Sequence, residues 1–137
     1  MTKSKTNESG VALIKRERLR QISKEGWTSE HDDSHTGGEL ALAACCYATP
    51  RRLYVKGTNG FGTVTFTDPW PFGQIQGSRY RGDWDKRKKF RRGNYPLWPT
   101  ELDPDQRLDL LVKAGALIAA EIDRLLRVKA ETQESDD

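Results

Sequence analysis

The chain of 137 residues is poor in the residues that announce a chemistry. It has two histidines, His31 and His35, so a metal site built mainly of imidazoles has no third ligand to draw on. Its two cysteines, Cys45 and Cys46, are adjacent and do not suit a disulfide framework; they are expected to be reduced packing residues on a helix, with no base nearby to activate either as a nucleophile. There is no run of about 18 apolar residues, which excludes a helical membrane span. The first ten residues are polar and lack the apolar core of a secretion signal, so a cytoplasmic protein is expected. No phosphate-binding or dinucleotide glycine pattern occurs; the glycines of residues 57–62 belong to a turn. Hydrophobic residues make up only 35%, a thin supply for a core, and a homo-oligomer, a dimer first of all, is expected to cover the remainder.

Positive charge is abundant but unevenly spread. Residues 51–98 hold eleven Lys and Arg against three Asp and Glu, a net +8 within a chain of net +3, so the rest carries −5. In the stretch 68–100, Trp70, Phe72, Tyr80, Trp84, Phe90, Tyr95 and Trp98 alternate with arginines and lysines that include Arg79, Arg81 and Arg87. Cations interleaved with rings can hold phosphates by paired contacts and stack on bases.

Around this insert the pattern is helical. Ser9 is placed to cap a helix to about Lys24, with Val11, Ile14, Leu19 and Ile22 inward and Lys15 to Arg18 and Arg20 toward water. Gly26 stops it. Thr36 and Glu39 have the spacing of a capping box for a second helix through Leu40, Ala43, Ala44 and Tyr47, ended by Pro50. Residues 53–67 read as a hairpin turning at Asn59 and Gly60. Asp103, Pro104 and Gln106 open a last helix. One face of that helix, Leu108, Leu111, Val112, Gly115, Ile118, Ile122 and Leu125, is assigned to the core, and Ile14, Ile22, Ala44, Leu111, Ile118 and Ile122 should be buried. Leu117, Ala119, Ala120 and Leu126 are left over for a subunit interface. The fold expected is mainly α, with a three-helix core, a small β-hairpin and the basic aromatic insert at 51–100. Residues 1–8 form a disordered tail, 9–130 one domain and 131–137 an acidic tail.

Three chemistries compete for the residues that stand out. His31, Asp32 and His35 on one helical turn could ligate a divalent metal, and His31-Asp32 resembles part of a metal phosphohydrolase signature; a metal-dependent phosphodiesterase follows from that reading. Alternatively Asp33 and Ser34 satisfy free backbone donors ahead of the second helix. The basic insert could serve a nucleic-acid or protein-interaction module. Lastly, Trp27 at the end of the first helix reads first as a plug of the core, and beside polar acceptors it could instead stack a base.

Two stretches carry a resemblance. Residues 22–44, from Ile22 through Trp27, His31, Asp32, Asp33 and His35 to Glu39 and Ala44, are one; Trp84 to Arg87 together with Leu110 to Leu125 are the other. Together they resemble a family of small phage and prophage proteins, which is distantly similar to the ryanodine-receptor repeat, or RyR, domain. The chain departs from the RyR pattern in lacking the proline that usually follows the histidine and in carrying the long insert. The resemblance implies a helical RyR-like domain over 9–130, a nucleotide-like ligand, and Trp27, Asp33, His35 and Tyr47 as pocket residues. It also implies a counter-defence role in the cytoplasm of an infected bacterial cell: a non-enzymatic protein that sequesters a nucleotide-derived immune signal, of ADP-ribose or cyclic-nucleotide type. In that reading Trp27 or an insert aromatic such as Trp84 stacks the base. His31, Asp33 and His35 read base or ribose, and Arg79, Arg81 and Arg87 hold phosphate. No cofactor is expected.

Overall fold

The computed structural model describes residues 8–49, 55–67, 69–72, 87, 91–92, 95–96 and 101–136. It is mainly helical, with four helices and small antiparallel strand pairs among these residues.

Helix α1 runs Gly10–Lys24. Ser9 takes extended backbone and its Oγ accepts from the Ala12 amide at 3.1 Å, satisfying one of the free donors of the first turn. Gly26 closes the helix in the left-handed region (φ 76°), which turns the Trp27 amide back onto the Gln21 carbonyl at 3.0 Å. Helix α2, Ser29–Asp33, is a single short turn whose N-cap is Thr28.

Helix α3 spans Glu39–Ala48. The expected Thr36 cap does not form. Gly38 is the N-cap, at φ 83° and without a side-chain cap, and the Glu39 carboxylate instead accepts from the Gly37 amide at 2.6 Å. The helix ends at Ala48; Pro50 lies outside the described residues. Strands β1 (Val55–Thr58) and β2 (Val64–Thr67) pair antiparallel, with Val55 opposite Thr67 and Thr58 opposite Val64. Asn59 builds the turn: its Oδ1 accepts from the amides of Phe61 at 2.8 Å and Thr63 at 3.0 Å. Leu53 and Tyr54 of the expected hairpin lie outside the described residues. Strands β3 (Arg91–Arg92) and β4 (Tyr95–Pro96) form a second, minimal pair.

Helix α4, Pro104–Asp136, is 33 residues long and is the spine on which α1, α2 and α3 all pack. A reciprocal capping box starts it: Asp103 Oδ1 accepts from the Gln106 amide at 2.8 Å, and Gln106 Oε1 from the Asp103 amide at 3.0 Å. Beyond Ala130 the helix continues to Asp136, with Glu131, Thr132 and Gln133 exposed. None of the described helices is long and apolar enough to cross a membrane.

The core is built of Leu40, Ala43, Ala44, Cys46 and Tyr47 of α3 and Leu110, Ala114, Leu117 and Ala120 of α4, joined by Trp27, Trp70, Phe72 and Leu102. Alanines on both helices let the backbones approach and leave the volume to a few large side chains. Two expectations are corrected here. On α4 the face assigned to the core points outward: Leu111, Ile118 and Ile122 are 42%, 48% and 52% exposed, whereas Leu117 and Ala120, offered for an interface, are fully buried. On α1, Val11, Leu19 and Ile22 are exposed while Glu17 and Gln21 are buried. The cause is the approach of α1 to α4 at Gly115, where an added Cβ would lie 2.5 Å from Ile14 Cδ1. That contact sets the rotation of α1 and turns Glu17 and Gln21, not Leu19, toward the neighbour. Ala44 is buried as expected and Ile14 is half-buried. Cys46 is buried but Cys45 is exposed, a further correction.

Candidate functional site

The two consecutive acids of α2 face opposite ways. Asp32 is fully buried. Its carboxylate accepts from the Arg18 guanidinium on one oxygen and from His31 Nδ1 at 2.9 Å on the other. Arg18 also donates to the Trp27 carbonyl at 3.4 Å, so one guanidinium ties α1 to the loop and to α2. Arg18 was expected to face water; its side chain is 12% exposed because Asp32 draws it in. A buried carboxylate needs such a partner, since an uncompensated charge in the interior is very costly. Asp33 lies at the surface and accepts from Arg127 of α4 at 2.8 Å and 3.2 Å, contacts that push the Arg127 guanidinium further up in pKa. Both acids are therefore charge-compensated.

Above Asp32 the rings form a continuous chain of contacts. Trp27 stacks on His31 with centroids 5.5 Å apart and planes 4° from parallel. His31 meets His35 edge-on at 4.8 Å, and His35 meets Phe72 edge-on at 5.1 Å. Phe72 contacts Trp70 at 5.7 Å, and Trp70 contacts Tyr47 at 5.3 Å. Arg87 lies over the Trp70 ring, its Cζ 4.8 Å from the centroid, in cation–π geometry. Of the residues singled out from sequence, Trp27, His31, His35, Tyr47 and Arg87 are thus brought into one cluster. Asp33 is set beside it on the α4 side. Arg79, Arg81 and Trp84 lie outside the described residues.

Burial separates the two readings of Trp27 and bears on the role of Arg87. Trp27 and Tyr47 are buried, and His31 already occupies a face of Trp27. The space bounded by Trp27, Tyr47, Gln21 and Lys113 is about 10 Å³, room for one water at most. Trp27 is therefore a core plug and not an open stacking platform. Arg87, 3% exposed, packs on Trp70 within the insert and is no open phosphate clamp. What the cluster leaves at its surface is an edge formed by half-buried His35 and part of the His31 ring, whose Nδ1 is on Asp32 and whose Nε2 is buried, with Asp33 beside it. Glu39 borders that edge, its Oε2 3.8 Å from His35 Nδ1. Its carboxyl is held below the ordinary value by hydrogen bonds from its own amide and from Gly37, and by His35.

Trp70, Phe72 and Arg18 carry the cluster yet were not singled out from sequence. The only signal for the first two was membership of the aromatic-rich insert. For the metal reading, no group of three or more His, Cys, Asp or Glu among the described residues is arranged to hold an ion. Arg18 and His31 already take both oxygens of Asp32, the acid that reading required. A separate cleft of about 410 Å³ lies between α1 and α4, walled by Leu13, Leu108 and Val112. None of the candidate residues lines it, and its arginines are paired internally, Arg16 with Glu8 and Arg20 with Glu17 and Glu25. No family model, curated protein or solved structure matches the chain.

Proposed function

We propose that the protein is a non-enzymatic binding module for a nucleotide-derived signal, of ADP-ribose or cyclic-nucleotide type. The observation that carries this reading is the placement of Phe72 and Arg87. These residues bracket the segment containing Arg79, Arg81 and Trp84, and both sit on the ring cluster that holds His31 and His35. A nucleotide brings a flat base at one end and phosphate at the other, and two regions of different character, joined at a fixed hub, suit the two ends. The compensation of Asp32 by Arg18 and of Asp33 by Arg127 supports it too, because it removes most of the repulsion that two bare carboxylates would exert on a phosphate.

In this reading Arg79 and Arg81 hold phosphate and Trp84 stacks the base. His35 and Asp33 read the ribose or base, and the His31 ring, its Nδ1 held by Asp32 and its Nε2 buried, supports His35 by ring contact. Trp27, Tyr47 and Arg87 act from beneath, by fixing the cluster. The resemblance to small phage proteins and to the RyR domain favours sequestration of an immune signal as the biological role, with the α1, α3 and α4 packing as the RyR-like core. Sequestration returns its ligand unchanged and needs no metal, and among the described residues no group of three or more His, Cys, Asp or Glu is arranged to hold an ion.

Native mass spectrometry of protein purified from signal-producing cells is the test, followed by calorimetry with ADP-ribose and cyclic dinucleotides. An intact nucleotide released on denaturation supports the reading. Nucleotide turnover on incubation, or binding only to DNA with a steep dependence on salt, overturns it.

A further inference from the structure

Helix α4 is apolar on two sides. Its inner face is the core. Its outer face carries Leu111, Ile118 and Leu125 seven apart, with Leu108 and Ile122 along the edge next to α1, where Gly115 is covered by Ile14. That is the spacing of a helix–helix seam. Each of the five large side chains is between 42% and 52% exposed, and adjacent Leu126 is 57% exposed. No charged residue interrupts the seam between Leu108 and Leu125. A helix that faces water on this side would carry charges there, as α1 does with Lys15 and Arg16.

We propose that this face is a two-fold interface on which α4 of one copy packs against α4 of a second. The area supports a second copy as the occupant. Six aliphatic side chains, each about half exposed, offer on the order of 500 Å² per copy. Two copies then cover about 1,000 Å², the lower bound for a specific interface. The seam is also complementary to itself. With the helices antiparallel and the axis at Ile118, Leu111 of one copy meets Leu125 of the other. Antiparallel helices also bring opposite dipole ends together. The interface uses Ile118 and Ile122 in place of the Leu117 and Ala120 that the sequence pattern alone nominates, since those two are consumed by the chain's own core. It is independent of the ligand site: Asp33 and Arg127 are not on the seam.

Sedimentation of the full chain tests it. The wild type should be a dimer at micromolar concentration. Ile118→Lys with Ile122→Lys should shift the dissociation constant by roughly 100-fold or more, while circular dichroism stays that of the wild type because neither residue is in the core. If the double variant fails to fold, cross-linking decides instead. In a Cys45→Ser background, Ile118→Cys should form a disulfide with itself, and Leu111→Cys should cross-link to Leu125→Cys when the two are mixed but not to itself. A monomeric wild type at 100-fold higher concentration, or self-linked Leu111→Cys, overturns the proposal.

Discussion

The region beneath α2 and the outer face of α4 invert the ordinary distribution of polarity. Beneath α2 the chain buries a carboxylate and most of a guanidinium, Asp32 and Arg18, under a stack of rings. On α4 it leaves Leu111, Ile118, Ile122 and Leu125 half in water. Hydropathy alone would place them the other way round. The difference shows that burial here follows partners. Asp32 is inside because two donors converge on it; Ile118 is outside because the alanines on the opposite side of α4 fit α3 more closely than an isoleucine could.

The sharpest way to break the comparison is at the adjacent acids. Asp32→Ala should destabilise the fold by about 3–5 kcal/mol, because Arg18 is left buried without its counter-ion. Asp33→Ala, which removes an exposed pair with Arg127, should cost under about 1 kcal/mol. Urea titration of both variants measures the ratio directly. Equal losses would mean that Asp32 is not the buried member.

Neighbouring residues on α4 give the second contrast. Leu117→Ala should cost about 2–5 kcal/mol, as for a fully buried leucine. In protein dilute enough to be monomeric, Ile118→Ala should stay within about 1 kcal/mol, since half of that side chain is already in water. Denaturation at two protein concentrations separates this loss from any loss at an interface.

Where α1 crosses α4, Gly115→Ala sets overpacking of about 1–3 kcal/mol against a helix-propensity gain of about 1 kcal/mol. A net loss of about 1 kcal/mol is expected. In an Ile14→Ala background the obstruction is gone, and the same substitution should become stabilising by up to about 1 kcal/mol. A thermal-melt double-mutant cycle that shows no change of sign would mean the helices do not meet there.

The smallest effect concerns pH. The Glu39 carboxyl is lowered in the folded state, so it contributes stability that is present in full above the ordinary carboxylate value and is lost as pH falls through its lowered value. Glu39→Gln should therefore be less stable than the wild type at neutral pH. The gap should close as pH drops below the carboxylate range, read by urea midpoints across an acid series.

Local features were legible in the residues: the Ser9 cap, the Gly26 stop, the Asn59 turn and the Asp103–Gln106 box each depend on side chains within a few positions. Which face of a helix turns inward was not. On α4 two periodic apolar faces exist, and only the Ala43 and Ala44 surface of α3, more than 60 positions away in sequence, selects between them. For the site, the Trp27-to-His35 loop was identified, but choosing between Asp32 and Asp33 required Arg18, fourteen residues earlier, and the ring contacts of Trp70 and Phe72 arise only once the insert meets that loop.

The central claim is that the histidine edge and the basic insert act as one ligand site. Calorimetry with the nucleotide identified by native mass spectrometry tests it on three proteins: the wild type, His35→Ala, and Arg79→Ala with Arg81→Ala. If the claim holds, the arginine pair costs about 1.5–3 kcal/mol, or roughly ten- to a hundred-fold in affinity, and His35→Ala also weakens binding, with both variants folded by circular dichroism. Undiminished affinity in His35→Ala alongside loss in the arginine variant would contradict it, leaving the insert as a separate binding element.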